Sequence, residues 1–197
     1  MPNYLQFIEG RYLGKVVHIV ASGPSLIGFD YSKLSGKTII AVNHAYKKVP
    51  RFDCKVAIDA NFFQREDRDA VNRGITLCPA HACKDSNVIN FRMSGMFSTE
   101  PGPVYGYGSA GLVALTIALQ GGAEKVILWG YDYGFSNGAH HSTQGEFRHS
   151  MGLDKEHLYK NQVSKFAVYP SGIILNASPE SNIPYFQKLS QSDALKY

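Results

Sequence analysis

Six short runs rich in β-branched residues constrain this chain more than anything else in it: residues 16–21, 38–43, 55–59, 74–78, 125–130 and 172–177. Most are nearly continuous apolar stretches, not apolar/polar alternations. That pattern marks strands buried on both faces, as in a parallel sheet with helices over it. The clearest helix is 109–120, "SAGLVALTIALQ", followed by Gly121-Gly122 as a stop and then the strand "KVILWG". Helix, glycine stop and buried strand form half of a crossover unit. A second helix is expected over 153–166, with Asp154 and Glu156 in its first turn, where the helix dipole favours acids. The fold class expected is therefore α/β: a Rossmann-like open, mostly parallel sheet flanked by helices. With 197 residues, one nucleotide-binding domain over 1–197 suffices. Two irregular stretches, 85–108 and 133–152, read as long loops over its site.

Composition narrows the function classes. A chain that is 44% hydrophobic and only 18% charged can build a core and is not of the disordered type. The net charge of +4 suits an anionic substrate, but the Lys and Arg residues are scattered and form no basic helix, which argues against nucleic acid. No run approaches about 18 consecutive apolar residues, so no membrane span is expected. The N-terminus, "MPNYLQFIEGRYLGK", is too polar for a secretory signal. Cys54, Cys78 and Cys83 cannot all pair and have no CxxC spacing; reduced thiols in a cytoplasmic protein follow. A homo-oligomer is left open.

In open α/β sheets ligands bind beyond the carboxyl ends of the strands. That rule selects Ser22, Gly23, Pro24 and Ser25 after the first run, Asn43 after the second, Asp59 after the third and Asp132 after "KVILWG". The first turn reads either as a tight turn or as a phosphate cradle: Gly23 lets a backbone approach and the two serines offer hydroxyls. It is not GxGxxG, and no Walker lysine follows. Asn43 suits a base or ribose edge, or simply a turn; Asp59 and Asp132 suit sugar hydroxyls, a metal, or Asx turns. "YGYGSAG" places Gly108 and Ser109 at a helix N-terminus, where free N–H groups and partial positive charge favour anions, though a plain capped helix has the same look. His140, His141 and His149 share one stretch without HExxH spacing, so a single histidine as general base is more economical than zinc.

These blocks, in order, resemble a known group. "VVHIVASGPSL…FDYSKL" followed by "IIAVNHAY" is similar to the opening of the bacterial lipooligosaccharide sialyltransferases. It is equally similar to a wider group, frequent in bacteriophages, related to the archaeal 6-hydroxymethylpterin pyrophosphokinases. "GSAGLVALTIALQGGAEKVILWGYD" and "GIILNASPESNIPYF" extend the likeness over roughly 15–60 and 104–190. The resemblance implies a nucleotide at the first turns without a DxD-bound metal. It puts Gly23, Pro24 and Ser25 on the nucleotide-side turn, Asn43 on the nucleotide-contacting asparagine, and Gly108 and Ser109 near the phosphate. The histidine base of the sialyltransferases, followed by serine, falls on His149, with His141 second. Ser22 and Trp129 depart from the sialyltransferase pattern, which has asparagine and serine there.

Three functions follow as expectations. The first is a glycosyltransferase-like enzyme that binds a nucleotide-activated sugar, with His149 or His141 as base and Asp59 and Asp132 orienting sugar or acceptor. The second is pyrophosphoryl transfer from ATP, which needs magnesium on Asp59 and Asp132. The third is a non-catalytic nucleotide-binding protein of phage type. No cofactor beyond that conditional magnesium is implied.

Overall fold

The computed structural model describes residues 3–66, 68–134 and 155–197, without the side chains of 65–69 and 155–159. In chain order, α1 (Tyr4–Ile8) precedes β1 (Val16–Val20), β2 (Thr38–Val42), β3 (Cys54–Val56), β4 (Thr76–Pro79) and β5 (Val88–Phe91). Then come β6 (Met93–Ser94), β7 (Val104–Tyr105), α2 (Ala110–Gln120) and β8 (Lys125–Trp129). The chain closes with α3 (Lys155–Ser164), β9 (Ile174–Asn176), β10 (Gln187–Lys188) and α4 (Gln191–Ala194).

Eight of these strands form one open sheet in the order β10-β9-β8-β1-β2-β3-β4-β5, and every pairing in it is parallel. The fold is thus the α/β open sheet of Rossmann-like form that the apolar runs predict. β1 pairs with β2 on one side and with β8 on the other, so the strand order reverses there. Such a reversal splays the connections apart and leaves a crevice at the carboxyl ends of the two strands.

Side-chain alternation sorts the strands into two apolar layers. Val17, Ile19, Ile40, Val126 and Leu128 face one side together with the Leu112, Leu115 and Ile117 side chains of α2. Val20, Ile39, Ala41, Ile127 and Trp129 face the other, where Leu26, Leu34, Tyr46 and Phe62 cover them. Every residue of α2 is buried, which explains why its sequence is apolar all round and not amphipathic. The second layer is covered by short 3₁₀ turns, at Pro24–Leu26, Tyr31–Leu34 and Asn43–Lys47, and not by long helices.

Several boundaries differ from the sequence expectation. The stretch 85–108 is not a loop throughout: Val88–Phe91 is the edge strand beside β4, and Met93–Ser94 pairs with Val104–Tyr105. An edge strand needs less apolar sequence, and Asn87 and Asn90 break up its run. The 74–78 run is extended only from Thr76, because Gly74 sits at φ +74°. The 172–177 run begins as a 3₁₀ turn, Ser171–Ile173. The helix expected over 153–166 is seen as Lys155–Ser164, continued by 3₁₀ turns to Val168. Residues 135–154, most of the second expected loop, lie outside the described residues, as do His140, His141 and His149. Among the described residues no helix is long and apolar enough to cross a membrane.

Candidate functional site

A cleft of about 210 Å³ opens at the carboxyl edge of the sheet. Its walls come from the ends of four central strands and the start of α2. β1 supplies Ser22 and Gly23, β2 supplies Asn43, β3 supplies Asp59, and β8 supplies Tyr131 and Tyr133. The far wall is Gly108, Ser109, Ala110 and Gly111. These residues are distant in sequence and adjacent in space because parallel strands deliver all their carboxyl ends to one edge.

Asn43 is the most unusual residue in the cleft. It occupies the left-handed region at φ 51°, and its Oδ1 is buried without a hydrogen-bond partner. Buried amide oxygens are almost always paired, and left-handed backbone in a non-glycine residue costs about 1–3 kcal/mol. Among the described residues only two other non-glycines have positive φ, Tyr107 at 40° and Tyr133 at 49°. Tyr133 lines the same cleft, and Tyr107 precedes Gly108 on its rim. Strain in the described chain is therefore concentrated around this one crevice.

The far wall is a helix start. Ser109 caps α2, with Leu112 N–H donating to its Oγ at 3.4 Å, and the same Oγ lies 2.6 Å from the Tyr133 hydroxyl. Ala110 and Gly111 begin the helix, where no preceding turn accepts their N–H groups and the dipole is positive. A Cβ on Gly111 would lie 2.6 Å from the Tyr133 hydroxyl, so glycine here keeps the tyrosine in place. Gln162 of α3 donates from Nε2 to the Gly108 carbonyl at 3.1 Å and ties the helix to the cleft's rim. Asp59 is exposed on the lining. No Lys or Arg lines the cleft among the described residues.

The rest of the first turn has a different role. Pro24 is buried as the first residue of a 3₁₀ turn. Ser25 Oγ donates to Asp132 Oδ2 at 2.9 Å and lies 3.1 Å from Ser178 Oγ, while Gln191 Nε2 donates to the Ser25 carbonyl at 2.8 Å. Ser178 Oγ in turn accepts from the Tyr131 N–H at 3.1 Å. Pro24, Ser25 and Asp132 are not on the lining; they bolt the β1 exit to the β8 exit. Asp132 is only 6% exposed, and burial pushes its carboxyl above the ordinary range against the lowering effect of Ser25. Gly23 lines the cleft, but its lack of a side chain has a nearer cause than a ligand. A Cβ there would lie 1.8 Å from Asp132 Oδ2 and 2.3 Å from the Gly130 carbonyl.

Of the residues singled out in the sequence, Ser22, Gly23, Asn43, Asp59, Gly108 and Ser109 meet in the cleft. Asp59 lines the cleft, whereas Asp132 is off the lining and held by Ser25. Among the described residues no three His, Cys, Asp or Glu side chains come together to hold a metal. From sequence Tyr133 reads as one of several core or loop-packing aromatics, any of which could stack on a base, and Gln162 is not singled out. Tyr133 follows the same strand-exit rule that selected Asp132, one residue on; Gln162 carries no local signal, since only the packing of α3 brings it to Gly108.

No protein-family model matches the chain, and comparison with curated proteins finds no significant relative.

Proposed function

We propose that the cleft holds a nucleotide-activated sugar and that the protein transfers the sugar to an acceptor hydroxyl. The observation that carries this reading is Asn43: a lining residue in left-handed backbone whose buried side-chain oxygen has no hydrogen-bond partner, in a crevice that also contains a helix N-terminus. An amide at this place suits the N–H or O–H edge of a nucleoside. The start of α2 suits its phosphate. Among the described lining residues, which include no lysine or arginine, the partial charges of the helix start and of the hydroxyls meet the anion.

In this reading a histidine, His149 or His141, takes the proton of the acceptor hydroxyl. The freed oxygen electron pair attacks the anomeric carbon, the bond from that carbon to the phosphate oxygen breaks, and the nucleotide leaves with its electrons. Ser109, Tyr133 and the α2 N–H groups receive the charge that develops on the phosphate. Asp59 orients sugar or acceptor hydroxyls.

A thermal-shift screen with CMP, UDP, CDP, GDP and ATP, each with and without magnesium, tests the reading. CMP or UDP without metal is expected to raise Tm, since a ligand at 100 times its Kd stabilises by about 2.7 kcal/mol. A response to ATP alone, and only with magnesium, replaces the proposal by pyrophosphoryl transfer. If a nucleotide binds, donor hydrolysis is measured next. His149→Ala or His141→Ala is expected to reduce it at least tenfold. Binding without turnover in the unsubstituted protein leaves a nucleotide-binding module.

A further inference from the structure

Cys78 and Cys83 lie away from the cleft, and the proposed transfer does not use them. Beyond Cys78 the chain reverses in a turn, closed by the Ala82 N–H donating to the Pro79 carbonyl at 2.9 Å. The two cysteines are the residues immediately before and after that turn. A disulfide needs Cα atoms about 4.4–6.8 Å apart, a span open to two residues that flank one tight turn. Contact is already made: the Cys78 thiol donates to the Cys83 carbonyl, with Sγ and oxygen 3.6 Å apart. Asn90, the register partner of Cys78 on β5, clamps both residues. Its Nδ2 lies 2.9 Å from the Cys83 carbonyl oxygen and 3.2 Å from Cys78 Sγ.

The two thiols differ in access. Cys78 is fully buried, whereas Cys83 is half-buried and lines a cavity of about 380 Å³ with Phe63, His81 and Lys84. Burial pushes the Cys78 thiol up to about 12; the adjacent Cys83 thiol adds to the rise and the Asn90 amide opposes it. Cys54 belongs to the apolar layer on the other face of the sheet, where its thiol lies 3.4 Å from the Tyr12 hydroxyl. It is a built-in control.

We propose that Cys78 and Cys83 form a thiol–disulfide exchange site, which takes a low-molecular-weight disulfide of the glutathione type through this cavity. The Cys83 thiolate attacks one sulfur of the small disulfide, whose S–S bond breaks, and a thiolate leaves and takes up a proton. Cys78 then gives its proton to solvent, with Asn90 Nδ2 donating to the sulfur as it becomes anionic. That sulfur bonds to Cys83 Sγ and expels the second small thiol. Two cysteine thiols are oxidised to one disulfide, and one small disulfide is reduced to two thiols.

The test uses the full chain in its native state. It is incubated with glutathione disulfide, blocked with N-ethylmaleimide and digested with trypsin, which releases 74–84 as one peptide carrying both cysteines. The expected peptide is lighter by two hydrogens, free of maleimide and restored by dithiothreitol, while Cys54 stays reduced. C78S is expected to stop at a glutathione adduct on Cys83, and C83S to yield neither product. The proposal is overturned if the unsubstituted protein ends with glutathione still on Cys83 or with both thiols alkylated. Oxidation at Cys54 while the 74–84 pair stays reduced also overturns it. The unsubstituted chain decides by itself should either variant fail to fold.

Discussion

The two sides of the cleft are built on opposite terms. On the β1–β8 seam the strand-exit groups answer one another: Ser25 meets Asp132, Gln191 meets the Ser25 carbonyl and Ser178 meets the Tyr131 N–H. Deeper between the strands Trp129 Nε1 donates to His18 Nδ1 at 3.0 Å, while His18 Nε2 is buried without a partner. On the opposite rim Asn43 keeps a buried oxygen unpaired in strained backbone, and α2 begins with N–H groups that no earlier turn can accept. A saturated network fixes geometry and leaves little to offer a ligand. An unsaturated one carries a standing cost that a ligand can remove. The difference separates the scaffold of this crevice from its binding surface, although the same strand-exit rule selects residues of both kinds.

Gly23 is the residue on which the closed seam depends most. A Cβ there collides with Asp132 and with the Gly130 carbonyl, neither of which can withdraw without opening the seam. Gly23→Ala is expected to cost about 3 kcal/mol in denaturant unfolding, the upper end for overpacking. Near-wild-type stability would show the seam to be looser than its hydrogen bonds imply. His18 gives a pH-dependent effect. Burial, with a contribution from the Lys37 charge, lowers its pKa from 6.5 to about 4. The unfolded chain therefore takes up a proton that the folded one refuses. Stability from this group is complete above pH 6.5 and declines as pH falls from 6.5 toward 4. His18→Asn, which retains an acceptor for Trp129, is expected to flatten that decline in Tm against pH. The smallest stability change is expected at Asn43, and with the opposite sign. Asn43→Gly relieves the left-handed strain and should raise the stability of the free protein by about 0.5–1 kcal/mol. The same change should weaken nucleotide binding roughly tenfold, about 1.4 kcal/mol, by calorimetry. A variant both less stable and equally competent in binding would place Asn43 with the scaffold.

The central strands were legible because burial on both faces demands nearly uninterrupted apolar sequence, which β1 (His18 apart), β2 and β8 have. Ser109 and the glycine stop after α2 were legible for local reasons, a hydroxyl that can cap and a residue that can end a helix. β5 was not, since an edge strand beside β4 tolerates the polar Asn90. Nor was the split among the strand-exit residues. Ser25 and Asp132 lie 107 positions apart, and only the β1–β8 register, with Val20 opposite Trp129, turns them toward each other and away from the cleft.

By itself the sequence determined that a parallel α/β sheet forms and that small and polar residues gather at one of its edges, because periodicity and strand direction are local properties repeated along the chain. Tertiary structure alone decided which of those residues spend their hydrogen bonds on one another and which, like Asn43, are left wanting a partner. Pairing of that kind depends on side-chain directions across strands that the chain visits far apart.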